Sequence, residues 1–179
     1  MSQQPPPPEP TAAGGSPAPG EVSADLLTRF IAKLIDGILL AIVNFILVTV
    51  VIFGALFSTA GTGGMFGMGM GGFSLTGLLA GIVSAVIYVG YFAFMESAKG
   101  TTVGKMLVKL EVRGPDGGHP SFEQAIRRNA WMLLSIIPII GGLAQLVVAI
   151  IIAVTIQNSA QNNGWHDEFA GGTRVVKVG

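Results

Sequence analysis

The sequence predicts an all-α membrane protein, a bundle of three or four transmembrane helices carrying a small cytoplasmic cap with two short strands, on three observations. The first is where charge is missing: no Asp, Glu, Lys or Arg lies between Asp36 and Glu96, nor between Asn129 and Trp165. Helices that face water need a charged side, whereas a charge at the centre of a bilayer costs at least ~2.5–3.5 kcal/mol, so such tracts fit lipid. The second is length, since residues 37–57 form an apolar run of 21, matching the ~20 needed to cross the ~30 Å hydrocarbon core. The third is the clustering of Lys99, Lys105, Lys109, Arg113, Arg127 and Arg128 between the two tracts, the pattern that marks a cytoplasmic segment.

Composition narrows the function classes. Half of the 179 residues are hydrophobic and 11% are charged, against about a quarter in a soluble domain. The formal net charge is zero, which argues against a nucleic-acid partner. With no cysteine, disulfides, thiolate metal sites and thiol nucleophiles are excluded.

Taken in order, residues 1–22 hold seven of the ten prolines and read as a disordered, partly polyproline tail, with a ligand for a proline-binding module as the alternative. The stretch before Gly20 has neither a basic region nor an apolar run, so it is not read as a signal peptide. Helix 1 is expected over about 23–57, with Ser23 placed to cap it. Residues 58–73 form an uncharged, glycine-rich outer loop, and helix 2 follows at about 74–95, ended by Glu96. In the stretch 96–121, MLVKLEV (106–112) alternates like a strand and GPDGG (114–118) reads as a turn. Ser121 and Gln124 have capping-box spacing, opening a helical tract over 122–156. The segment 157–179 contains TRVVKV (173–178), a second short strand.

The apolar part of the last tract, residues 130–156, is long for one crossing and is interrupted by Pro138 and Gly141-Gly142. It fits either one kinked span, which leaves the C-terminus outside, or a broken hairpin that returns it to the cytoplasm. The hairpin is preferred, because TRVVKV can pair with 106–112 only from the same side. The N-terminus, with Arg29 and Lys33 beside helix 1, is assigned to the cytoplasm.

The candidate site begins on helix 1. Asp25, Arg29, Lys33 and Asp36 fall on one helical face, and Asn44 continues that polar stripe inward. A charge entering the membrane in this way is a functional candidate by default, against a structural ion-pair network of Asp36 with Lys33 or Arg29. His166-Asp167, between Trp165 and Phe169, reads as an interface anchor or as an ion-pair partner for Arg29. Gly77, Gly81 and Ala85 form a ridge of small residues suited to close helix packing. No metal site, cofactor or catalytic set is expected. The only other histidine is His119, Met65, Met68 and Met70 read as incidental residues of a flexible loop, and Gly100–Lys105 is one residue short of a phosphate loop.

Several of these motifs resemble, in order, the RDD family of bacterial membrane proteins. Arg29-F-I-A-K-L-I-Asp36 resembles its first helix, G-T-T-V-G-K (100–105) with Asp116-Gly117 and the Arg127-Arg128 pair its middle section, and His166-Asp167-E-F-A-G-G-Thr173-R-V-V its C-terminal pattern with one additional glycine. The likeness covers roughly residues 26–178. It implies that the family's three naming residues correspond to Arg29, Asp36 and Asp167, and it implies transport of a ligand that it does not identify.

Two functions follow as expectations. The first is a carrier of a small solute or ion in the bacterial plasma membrane, working through the charged cluster, with a homo-oligomer or partner membrane protein enclosing the pathway. The second is a non-transporting scaffold in which that cluster is structural. A membrane enzyme is not expected, for want of a nucleophile, metal set or acid pair.

Overall fold

The computed structural model describes residues 20–59, 75–137 and 140–178. The polyproline tail, nearly all of the glycine-rich loop with its three methionines, and Pro138 fall outside them.

Helix α1 (Leu26–Thr59) is introduced by a two-residue strand β1 (Val22–Ser23). The helix is capped by Asp25 rather than Ser23. The Asp25 carboxylate accepts from the Thr28 backbone N–H at 3.2 Å and from the Thr28 hydroxyl at 2.7 Å, satisfying donors that a helix start leaves free. Helix α2 (Leu75–Lys99) runs a turn past Glu96, so that carboxylate lies inside the helix and is fully buried.

A short helix α3 (Val103–Leu107) follows, capped by the Thr102 hydroxyl. The alternation in 106–112 therefore overextends the strand at its start: residues 103–107 are helical, and strand β2 is Leu110–Arg113. Helix α4 (Phe122–Asn129) opens with the expected Ser121–Gln124 capping box.

The third apolar tract is broken. A 3-10 helix (Ala130–Ile136) leads to helix α5 (Ile140–Asn158), and the two lie against each other. The Gln145 amide donates to the Met132 carbonyl at 2.7 Å, and a Cβ on Gly141 would lie 2.2 Å from the Leu134 carbonyl. Residues so separated in one straight helix would be ~10 Å or more apart along its axis, so the chain doubles back. Helix α6 (Trp165–Phe169) and strand β3 (Arg174–Lys177) complete the fold.

The strands form one antiparallel sheet in the order β1-β3-β2, with Leu110 opposite Lys177 and Val22 opposite the same residue on the other edge. Residues from the start, middle and end of the chain thus share one cap. The added strand β1 escapes sequence reading because two residues carry no period. Ala24, Ala32, Leu110, Val112 and Val175 make the cap's apolar core, while Leu40, Val89, Phe92 and Met132 make a second core in the bundle.

Among the described residues, three helices are long and apolar enough to cross a membrane: Leu26–Val50, Gly81–Lys99 and Ile140–Asn158. Their outward faces are large exposed hydrophobics such as Ile42, Phe45, Val86, Leu146 and Ile150, which water would not tolerate and lipid does. The chain is a helical membrane protein. In the small-residue ridge, Ala85 is buried, whereas Gly81 has no neighbour within 4 Å of the position a Cβ would take. Gly77 lies on α2 where side-chain surroundings are outside the description.

Candidate functional site

The polar residues of α1 reach across to α2, α3, α4, α6 and β3, but they divide into two groups. Arg29 belongs to the first. Its guanidinium donates to Asp167 on α6 at 2.9 Å and to the Ala24 carbonyl at 3.1 Å. Asp167 also holds Arg128 of α4 at 2.6 Å. Arg128 in turn lies 3.7 Å from Glu96 of α2, which is bonded to Lys105 of α3. Asn129 ties the same carboxylate to α1, donating to Glu96 at 3.1 Å and accepting from Lys33 at 3.2 Å. One continuous chain of charges therefore joins α1, α6, α4, α2 and α3.

Lys33 differs from the other cations. No carboxylate lies within 4 Å of it among the described residues; its ammonium sits 3.5 Å from the centre of the Phe92 ring and 5.8 Å from that of Trp131. Aromatic faces attract a desolvated cation by their quadrupole. This first group thus brings the basic side chains of Arg29, Lys33, Lys105 and Arg128 together with the carboxylates of Glu96 and Asp167.

Asp36 is the second group. It makes no ion pair with Lys33 or Arg29 among the described residues, contrary to the structural alternative raised from sequence. Instead it is fully buried and accepts from the Tyr91 hydroxyl at 2.7 Å, the Thr102 hydroxyl at 2.5 Å and the Gly104 N–H at 2.7 Å. Glycine at 104 is a geometric requirement, because a Cβ there would lie 2.1 Å from the Ala32 carbonyl and 2.9 Å from the Asp36 carboxylate. The G-T-T-V-G-K stretch is thus a clasp that seats α3 on α1, not a phosphate loop.

The remaining predicted residues are placed more modestly. Asp25 caps α1 and pairs with Lys177 at 2.8 Å, which with the Thr28 bonds holds its carboxyl well below the usual range. Asn44 accepts from Ser84 at 2.7 Å, tying α1 to α2 inside the bundle. Burial, opposed by Asp167 and reinforced by Arg128 and Arg29, pushes His166 down to about 3, so its imidazole is neutral at physiological pH. Burial works to raise Asp167, but Arg128, His166, Arg29 and the Gly164 N–H outweigh it and hold the carboxyl well below its ordinary range. Burial pushes the Lys105 ammonium down, against the pull of Glu96.

The extra glycine of the C-terminal motif has a role here. Gly171 and Gly172 both take left-handed φ, +88° and +86°, a region open to glycine at little cost. They turn the chain so that the Gly172 and Thr173 N–H groups both donate to the Asp167 carbonyl. Sequence reading missed Glu96, Lys105, Arg128, Asn129 and Thr102. Each carries a local meaning, as a helix end, a basic loop residue or a cap, that hides its long-range partner.

Among the described residues no group of three or more His, Cys, Asp or Glu could hold a metal ion. No curated protein and no solved structure matches the chain. The model of the RDD family does match, over residues 23–171, and so takes in Arg29, Asp36 and Asp167. The chain, whose described residues include three apolar helices with a buried charge network at one end, belongs to the RDD family.

Proposed function

We propose that the protein is a carrier of a small solute or ion, with the buried charge network as the closed gate at the cap end of the bundle. The observation that supports this reading is the network itself, six ionisable groups drawn from five helices at the end of membrane-crossing segments. Charges at membrane depth are costly, and a buried ion pair contributes little net stability over apolar packing. A gate needs discrete alternative pairings, and the carboxylates of Asp167 and Glu96 each already face two cations. Lys33 and Asp36 are assigned to the moving ligand or its coupling ion, Lys33 because no carboxylate lies within 4 Å of it among the described residues.

In this reading the Lys/Arg-rich stretch 96–130 faces the cytoplasm, as does the N-terminus, in a bacterial plasma membrane. Helices this few enclose little room, so the pathway is completed by a second copy or a partner membrane protein. No catalytic step is proposed.

A second reading is favoured by one observation, the three donors that satisfy Asp36. Under it the protein is a membrane scaffold and the clasp is structural. The test is Asp36→Asn in reconstituted vesicles, with solute-dependent flux and thermal stability in detergent measured side by side. Lost flux with stability retained supports the carrier. Wild-type vesicles without flux for any ion or solute assayed, together with lost folding or assembly in the variant, would assign Asp36 to the scaffold.

A further inference from the structure

Where α2 ends and α3 begins, the surface carries a groove of about 280 Å³ whose walls include Lys99, Thr101, Met106, Lys109 and Glu111. Its surroundings are unlike the rest of the cap. On α2, Val86 and Phe94 are exposed on the face that leads down to Ala98 and Lys99. On α3, Val103, Met106 and Leu107 are exposed at helical spacing, while Gly104 and Lys105 between them are buried. Neighbouring α1 stays apolar on its outward face as far as Leu27, through Leu34, Ile31 and Phe30. That outward stripe runs from Leu27 to Phe53, a helical length of ~40 Å against a hydrocarbon core of ~30 Å. The cap end of α1, and α3 with it, therefore lies at the level of the lipid headgroups rather than clear of them.

At that level the groove presents two lysine ammonium groups. Lys99 and Lys109 are both exposed, and neither forms an ion pair among the described residues. The one carboxylate in the wall, Glu111, is engaged by Arg113 at 3.0 Å and lies 3.3 Å from His119. Lys109 is also held at φ +55°, a left-handed backbone that L side chains rarely adopt; its backbone N–H donates to Met106 and its carbonyl accepts from Val178. Apolar walls continuous with the lipid-facing helices, ending in two unpaired ammonium groups, complement a phosphate ester that carries acyl chains.

We propose that this groove binds the headgroup of an anionic phospholipid, with Lys99 and Lys109 on the phosphate and an acyl chain laid over Phe94 and Met106. The site is separate from the buried network, and it stands whether or not the protein transports.

The test uses the full chain in nanodiscs of mixed phosphatidylcholine and phosphatidylglycerol, counting lipids retained on the protein by native mass spectrometry. The wild type should retain phosphatidylglycerol in excess of its bulk fraction, and Lys99→Gln/Lys109→Gln should bring retention down to that fraction at unchanged thermal stability. Lys177→Gln removes an exposed cation that is paired with Asp25, and should leave the excess intact. Equal loss in that control would mean diffuse surface charge and overturn the proposal. So would a wild type without the excess, or a double variant that keeps it. Inorganic phosphate should not displace the retained lipid; displacement would assign the groove to a soluble anion instead.

Discussion

Asp167 and His166 are adjacent in sequence and both are buried, yet the guanidinium groups of Arg29 and Arg128 act on them oppositely. The carboxylate keeps its charge because two guanidinium groups reach it, at 2.9 and 2.6 Å; the imidazole loses the ability to gain one chiefly because it is buried away from water, with those same cations adding to the effect against the pull of Asp167. The consequence for pH follows from linkage. Unfolded His166 titrates near 6.5 and folded His166 near about 3, so the unfolded state takes up a proton across that window. This contribution to stability is constant above pH 6.5 and declines as the pH falls toward 3. Asp167 has the depressed pKa of a paired acid, so its contribution is intact above 3.8 and is lost only below that value. Thermal unfolding in detergent, followed from pH 6.5 down to about 4, should show falling stability that His166→Gln flattens. An unchanged slope in the variant would mean that another group carries the acid response.

At the scale of elements, the clasp between α1 and α3 is the most demanding contact. Adding a methyl at residue 104 drives it into the Ala32 carbonyl, a backbone atom of a helix that cannot swing aside. Gly104→Ala should destabilise the protein by about 1–3 kcal/mol, as overpacking does, whereas Gly37→Ala, with nothing within 4 Å of its new methyl, should be neutral or stabilising by ~0.5–1 kcal/mol. Unfolding midpoints in graded denaturing detergent check both; similar shifts for the two would show that α3 is not clasped. This contrast also bears on what was legible in the sequence. Both long helices, the capping box and the strand in 174–177 follow from local period and cap chemistry, and so does the break in the third tract. The helix at 103–107 was hidden because its alternating residues are sorted by one close partner, α1, rather than by a two-sided sheet. Asp36 stood out as a charge in an apolar run, but its partners Thr102 and Gly104 are 66 and 68 residues away, a separation no periodicity records.

At the scale of the whole molecule, the sheet makes a firm statement about sidedness. Val22 and Lys177 are Cα partners across β1 and β3, and both are exposed. Directly opposed antiparallel residues lie ~4.5–5.5 Å apart, within the range a disulfide spans. The chain has no cysteine of its own, so Val22→Cys/Lys177→Cys should cross-link intramolecularly under mild oxidation in native membranes, giving a reducible mobility shift. Failure to cross-link, while each single variant is labelled by a thiol reagent from opposite sides, would place the two ends across the bilayer and overturn the doubled-back third tract.

The position of β3 in the middle of that sheet also dictates an order of assembly. Translation delivers α1 and α2 to the bilayer long before residues 167–177 exist. During that interval Arg29 has no Asp167, Arg128 is held by Glu96 alone, and β1 and β2 have no strand between them. The early helices must therefore wait with part of their charge uncompensated, sheltered by water at the membrane surface or by the insertion machinery. The last strand to emerge is then the one that closes the cap.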